Sequence, residues 1–256
     1  MTVPCKTYFA SDIHLGSTIF EPPQETEKRF VRWLDSIKEE VDVLYLLGDI
    51  FDFWFEYKKV VPRGFTRFLG KIAELHDHGV EIHFFTGNHD IWVFDYLPQE
   101  IGVIVHKKPF ITEIKGKKFY LAHGDGLGDG SRSFRLIRSI FHNRICQILF
   151  ACFPPRLGIG FAHRWAKHNR EKDIAHPAPY FGENKEYLVL YAKKYLQERP
   201  DIDYFIFGHR HIMLDLMLNH KTRMMIIGDW MQYFSYAVFD GKKLSLCQWN
   251  ETLLEH

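Results

Sequence analysis

Five short segments of this chain place Asp, Asn and His beside glycine. They are Ser11–Gly16 (SDIHLG), Gly48–Trp54 (GDIFDFW), Gly87–Asp90 (GNHD), His123–Asp125 (HGD) and Gly208–His211 (GHRH). Carboxylate, amide and imidazole donors without thiolates form the ligand set of hard to borderline divalent cations. Asp12 and His14, two apart, can face one cation. Asp49 is the natural carboxylate bridge to a second, and Asn88 offers a neutral amide oxygen. His123, His209 and His211 complete the set. Two such ions ~3.5–4 Å apart would hold a hydroxide and neutralise phosphate oxygens during in-line attack. A single Asp or His after a strand usually serves a turn, but five such motifs in series point to metal-assisted phosphoester cleavage. His89 is expected to protonate the leaving oxygen or steady the phosphate, with Asp90 orienting it and Asp52 supporting the site. Asp125 is expected to cap or orient His123, and Phe51, Phe53, Trp54 and Phe55 to form core or cleft wall.

Each of the five motifs is preceded by an apolar, strand-like run, and four of the five follow on it directly. Tyr8–Ala10 precedes Asp12, Val43–Leu47 ends at Gly48, Val80–Phe85 runs into Gly87, Phe119–Ala122 leads to His123, and Asp203–Phe207 leads to Gly208. Helical spacing marks Glu25–Glu40, with Phe30, Val31, Leu34 and Ile37 on one face, and Thr66–His78, stopped by Gly79. Beyond His211 strands follow one another: Met213–Leu218, Arg223–Ile227, Tyr236–Phe239 and Lys243–Gln248, the last pair joined by an Asp240-Gly241 turn. The early half therefore reads as βαβ units and the late half as antiparallel sheet, which two sheets flanked by helices would satisfy. Ligands of such α/β sheets sit beyond the carboxyl ends of strands, where these motifs fall.

The 256 residues, 46% hydrophobic and 25% charged, suit one large domain. A net charge of +1 implies no overall bias toward nucleic acid or membrane, but it conceals a local one. Ser131–Lys172 holds nine Arg or Lys against Glu171 alone, a charge of +8 that leaves −7 on the rest. The same stretch is rich in Leu, Ile and Phe, and Pro154-Pro155 predicts its division into two helices. Four cysteines without paired spacing, no apolar run in Met1–Lys6 and no membrane-length apolar segment suggest reduced thiols and a cytoplasmic setting. Residues 254–256 look like the remnant of a purification tag.

Across residues 11–211 the motif series resembles the calcineurin-like metallophosphoesterase superfamily. Within it the chain most resembles the UDP-2,3-diacylglucosamine pyrophosphohydrolases of lipid A synthesis. GDIFDFW with its acid and Trp, Phe134-Arg135 early in the insertion after HGD, and Ile227-Gly228-Asp229-Trp230 carry that narrower likeness. The resemblance implies an α/β fold, the calcineurin-like αββα sandwich of two mixed sheets flanked by helices. It implies a single domain over 1–256 with a helical lid insertion at 127–180. The reaction implied is hydrolysis of UDP-2,3-diacylglucosamine to UMP and 2,3-diacylglucosamine 1-phosphate, with attack on the α-phosphorus. A Mn²⁺ pair is implied, with Fe, Zn or Mg as substitutes. Asp12, His14, Asp49 and His211 would hold one ion and Asp49, Asn88, His123 and His209 the other. Catalysis falls to His89, Asp49 and Asn88, and substrate contact to Asn88, His89, His209, Asp129, Arg135, Lys167 and Lys172. Where the best-known members carry Arg, this chain has His89, the general superfamily form. Leu136, Ile140, Phe141, Ile148 and Phe153 could line an acyl-chain groove or rest on the anionic inner face of a bacterial inner membrane. Two rival readings are another phosphodiesterase or nuclease acting on nucleotides or nucleic acid, and a non-catalytic metal-binding scaffold. The apolar content of the insertion favours lipid over nucleic acid, and the complete ligand set favours catalysis over a scaffold.

Overall fold

The computed structural model describes residues 5–128, 132–160, 164 and 179–251. The first half runs β1 (Lys6–Ala10), α1 (Pro23–Ile37), β2 (Val41–Leu46), α2 (Thr66–Asp77), β3 (Glu81–Phe85), α3 (Tyr96–Ile101), β4 (Ile104–His106), β5 (Phe110–Ile114) and β6 (Lys117–Ala122). The second runs α4 (Arg132–His142), α5 (Arg144–Ala151), α6 (Tyr187–Glu198), β7 (Tyr204–Phe207), β8 (Met213–Met217), β9 (Arg223–Ile227), β10 (Ser235–Phe239) and β11 (Leu244–Gln248). The strands form a six-stranded sheet, β11-β10-β1-β2-β3-β4, and a five-stranded sheet, β5-β6-β7-β9-β8. Both are mixed: β1 to β4 are parallel and so are β6, β7 and β9, while β5, β8, β10 and β11 pair antiparallel.

Three buried layers hold the sandwich together. Phe30, Trp33, Leu34 and Ile37, spaced three and four apart on α1, pack with Phe68, Ile72 and Leu75 of α2 against the outer face of the first sheet. Phe9, Tyr45, Phe85, Phe119, Ile206 and Met225 fill the space between the sheets. Leu188, Val189 and Ala192 of α6 cover the second sheet. This is the αββα arrangement. Helix α1 opens on Pro23, whose missing N–H costs nothing at a helix start. Helix α2 has no cap of its own, so buried Glu27 of α1 accepts the N–H groups of Arg67 and Phe68 instead.

The late strands divide differently from their sequence order. β8 and β9 complete the second sheet, with β9 parallel to β7, whereas the β10–β11 hairpin extends the first. Asp240 Oδ1 accepts the N–H groups of Lys242 and Lys243, which fixes the predicted turn. The insertion breaks at Pro154-Pro155 as expected, with helix resuming over 155–160, and it breaks once earlier as well. Asn143 ends α4 and caps α5, accepting from Ile145 and Cys146, and α5 has finished by Pro154. Among the described residues no helix is long and apolar enough to cross a membrane, and all four cysteines are free.

Candidate metal centre

Asp12 and His14 follow β1, Asp49 follows β2, and Asn88 and His89 follow β3. His123 follows β6, and His209 and His211 follow β7. All these strands are parallel members of their sheets, so their carboxyl ends meet along one edge of the sandwich. Ligand atoms of Asp12, His14 and His211 fall within 4.8 Å of one another, as do those of Asp49, His123 and His209, and those of His14, Asp49 and His89. Asp49 Oδ2 lies 3.4 Å from His123 Nε2 and 3.8 Å from His14 Nε2, between the two triads. Asn88 Oδ1 is 3.4 Å from His123 Nε2. Asp12, His14, Asp49 and His123 are buried, while Asn88, His89, His209 and His211 are partly open to solvent.

The backbone is strained where the donors converge. Of the eight non-glycine residues with positive φ among the described residues, five are Asp12 (56°), His14 (51°), Asp49 (51°), His209 (67°) and His211 (48°). Each costs on the order of 1–3 kcal/mol, and such conformations concentrate at functional sites. Two motif glycines make the close approach possible. A Cβ at Gly87 would overlap Asp49 Oδ1, and one at Gly208 would overlap Ser11 Oγ and crowd Asp12 Oδ2.

Two of the candidate imidazoles are fixed by their other nitrogen. His123 Nδ1 donates to the carbonyl of Leu47 at 2.8 Å, leaving Nε2 toward Asp49. His211 Nδ1 meets Asp229 Oδ2 at 3.3 Å, leaving Nε2 3.5 Å from Asp12 Oδ1. Such partners select the tautomer that a metal ligand needs. Asp229 follows β9 and is anchored in turn, its Oδ1 accepting from the backbone of Met231, Gln232 and Tyr233. In the sequence it is only part of an IGDW string. Its work depends on a loop that Ser235 closes by donating to the Ile227 carbonyl.

Two sequence expectations change. Asp90 does not orient His89: its carboxylate accepts from the backbone of Gly87, Ile50 and Phe51, and so locks the second and third motifs together. The ring of His89 is held by its Nδ1 donating to the Asp52 carbonyl at 2.9 Å, and its amide donates to Asp49 Oδ1. Asp125 pairs with Arg138 of α4 at 3.0 Å rather than with His123. The aromatic residues of the second motif are core, as expected: Phe51 and Trp54 are fully buried. Glu56, just beyond, accepts from Trp54 Nε1 and from the backbone of Phe94, Asp95 and Tyr96.

The lid is described in part. Asp129, Lys167 and Lys172 lie outside the described residues, as does the side chain of Arg135. Phe141 and Phe150 pack on Trp92, whose Nε1 donates to the Phe141 carbonyl. Phe141 is therefore an anchor of the helical insertion. Leu136, Ile140, Ile145, Ile148, Leu149, Phe153 and Leu157 are 45–67% exposed.

The buried ionisable groups of the centre shift one another's proton affinities. Burial pushes the Asp49 carboxyl up, but His123, His89 and His14 outweigh it and hold the group well below the usual carboxylate range. Burial opposes a proton on His123 and Asp49 favours it, so the imidazole is raised well above its ordinary value. Burial raises Asp12, and burial with the nearby Asp49 raises Asp90 to about 7. His209 is lowered to about 3 by burial and by His123, and so is neutral as a ligand must be. Asp12 Oδ1 is buried and accepts no hydrogen bond, facing His211 Nε2 at 3.5 Å and His14 Nε2 at 3.8 Å. Two ligands on one ion, each bonded at ~2.1 Å, stand about 3.0–3.5 Å apart, so these residues fit divalent cations.

Carboxylate, amide and imidazole donors at the ends of parallel strands in two facing sheets suit a metallophosphoesterase, and residues 5–213 match the calcineurin-like phosphoesterase family, to which the chain belongs. It is therefore a hydrolase of a class that binds divalent metal. More narrowly, it is 44% identical over 252 residues to UDP-2,3-diacylglucosamine hydrolase of Porphyromonas gingivalis, covering 94% of this chain and 96% of that one. Enzymes of the same name from Neisseria meningitidis and Haemophilus influenzae are 28% and 27% identical. They cover 91% and 90% of this chain and 94% and 92% of their own.

Proposed function

We propose that the chain hydrolyses the pyrophosphate of UDP-2,3-diacylglucosamine, giving UMP and 2,3-diacylglucosamine 1-phosphate for lipid A synthesis. The observation that carries this reading is the 44% identity, across nearly both full lengths, with a relative named for that substrate. Asp12, His14, Asp49 and His211 would hold one cation and Asp49, Asn88, His123 and His209 the other. Mn²⁺ suits this set, and Fe, Zn or Mg could replace it. When bound, the pair supplies charge for the phosphate oxygens and the acidity that activates water at neutral pH.

The chain's own groups do the rest. Asp49 presents Oδ2 to both triads while Oδ1 holds the His89 amide, so bridge and acid are positioned by one carboxylate. His89 keeps its Nδ1 proton on the Asp52 carbonyl and offers Nε2 to the phosphate or to the departing oxygen. Asn88 and His209, partly open, face the same phosphate. The basic lid residues Arg135, Lys167 and Lys172, with Asp129, contact the substrate. The exposed apolar face of α4 and α5 meets acyl chains at the cytoplasmic surface of the inner membrane.

The test is hydrolysis of UDP-2,3-diacylglucosamine with added Mn²⁺, beside bis-p-nitrophenyl phosphate and single-stranded DNA. Turnover of the lipid nucleotide is expected to dominate. Cleavage of the two generic substrates with none of the lipid nucleotide would sink the proposal.

A further inference from the structure

A recess opens beside the metal centre, between the loop joining β4 to β5 and the first helix of the lid. Gly87 and His123 form its inner wall, Lys107 and Lys108 one flank, and Arg138 and His142 of α4 the other. A shallow cleft of about 570 Å³ over Phe94 and Pro98 shares His106, Lys107, Lys108 and Pro109 with it as a common wall. That volume lies within the range of small-ligand sites.

Its charge is unbalanced. Asp125 is the carboxylate on its wall, and Arg138 already pairs with it at 3.0 Å. Among the described residues neither Lys107 nor Lys108 forms an ion pair. Lys107 Nζ instead lies 4.8 Å from the centre of the Phe94 ring. His142 is held below its ordinary value by burial and then by Arg138, with Lys107 adding to the effect, which reports cations crowded together. Lys107 also feels the carboxylates of Glu56 and Asp95, but cations next to a phosphate-cleaving centre, beside an aromatic and apolar cleft, match a phosphate joined to a flat base. The exposed apolar side chains of α4 and α5 offer acyl chains a separate face.

We infer that this trough binds the nucleotide half of the substrate, with Lys107 and Lys108 on phosphate oxygens and the base over Phe94. The assignment rests on the substrate reading given above and divides the substrate between trough and lid.

UMP and glucosamine 1-phosphate, standing for the two halves, are titrated calorimetrically into the Mn²⁺-loaded wild type and its Lys107→Ala and Lys108→Ala variants. Each substitution is expected to weaken UMP about tenfold, the worth of one charge-assisted contact, and glucosamine 1-phosphate less than about twofold. Unchanged UMP binding in both variants overturns the inference. Equal weakening of the two ligands overturns it too, because the lysines would then serve phosphate in general. Thermal unfolding of each variant should match the wild type. Wild-type turnover of UDP-2,3-diacylglucosamine is followed in parallel. No turnover defeats the substrate reading, whereas turnover with UMP binding indifferent to both lysines defeats the trough alone.

Discussion

Replacing Asp229 by Asn should leave the fold nearly intact and cripple the metal centre. Asp229 Oδ1 accepts from Met231 at 3.0 Å, Gln232 at 2.7 Å and Tyr233 at 3.2 Å, and Oδ2 stands 3.3 Å from His211 Nδ1. Burial raises this carboxyl, but His211 and the backbone N–H groups outweigh it and hold it below its usual value, so it is ionised at neutral pH. An Asn side chain can keep its oxygen on the three N–H groups and must then turn its NH₂ toward His211. That makes Nδ1 an acceptor and moves the imidazole proton to Nε2, the nitrogen facing Asp12. Loss of an orienting partner of this kind costs about 10–100-fold in metal affinity. At 1.4 kcal/mol per tenfold this is ~1.4–2.8 kcal/mol. Mn²⁺ affinity measured calorimetrically should fall by that factor, while the melting temperature shifts by less than about 1 kcal/mol would produce. Asp229→Ala serves as a contrast: it strips three backbone donors as well and should lower stability by about 2–3 kcal/mol. Wild-type Mn²⁺ affinity in a folded Asp229→Asn protein would refute the orienting role.

Gly87→Ala should lower stability by about 1–3 kcal/mol in urea unfolding, because its methyl overlaps Asp49 Oδ1; a wild-type midpoint would contradict the packing described. Glu186, fully buried, holds Arg210 between His209 and His211 through contacts of 2.8 and 3.0 Å. Glu186→Ala should therefore cost about 3–5 kcal/mol and weaken Mn²⁺ binding, and an unchanged melting temperature would show the pair to be dispensable. His106, 2.8 Å from His83, is lowered to about 4 by burial and by that neighbour. Between pH 6.5 and 4 the unfolded chain binds this proton and the folded one does not, so stability should fall as pH drops through that window. His106→Gln should flatten that slope in denaturation midpoints, and an equally steep slope would assign it to other groups. Ile148→Ser with Phe153→Ser should reduce flotation with phosphatidylglycerol vesicles at unchanged melting temperature, since both side chains are exposed; equal flotation would remove the lid face from membrane contact.

The candidate ligands were legible because each is a hard donor placed directly after an apolar run, and strand ends are where α/β sheets put such groups. Their supports were not. Leu47 serves His123 through a carbonyl that every residue possesses, so no side-chain pattern reveals it. Asp229 reaches His211 because β8 and β9 fold back as an antiparallel pair, a tertiary fact. Asp90 looked like a partner for the adjacent His89, yet backbone N–H groups forty residues earlier in the chain claim it. The αββα architecture followed from alternating runs and from family resemblance. In the lid, apolar composition was plain, but which residues anchor and which face outward was settled by Trp92 and Phe55, far away in sequence.

The candidate ligands come from opposite leaves of the sandwich: Asp12, His14, Asp49 and Asn88 from the six-stranded sheet, His123, His209 and His211 from the five-stranded one. A cation pair held there is a clasp across two surfaces that are otherwise joined mainly by side chains such as Phe9, Phe119 and Met225. A slip of one sheet along the other, too small to expose any core, would still pull an imidazole off its carboxylate. Substitutions in the layer between the sheets, remote from any reacting atom, should therefore surface first as loss of metal and only later as loss of fold.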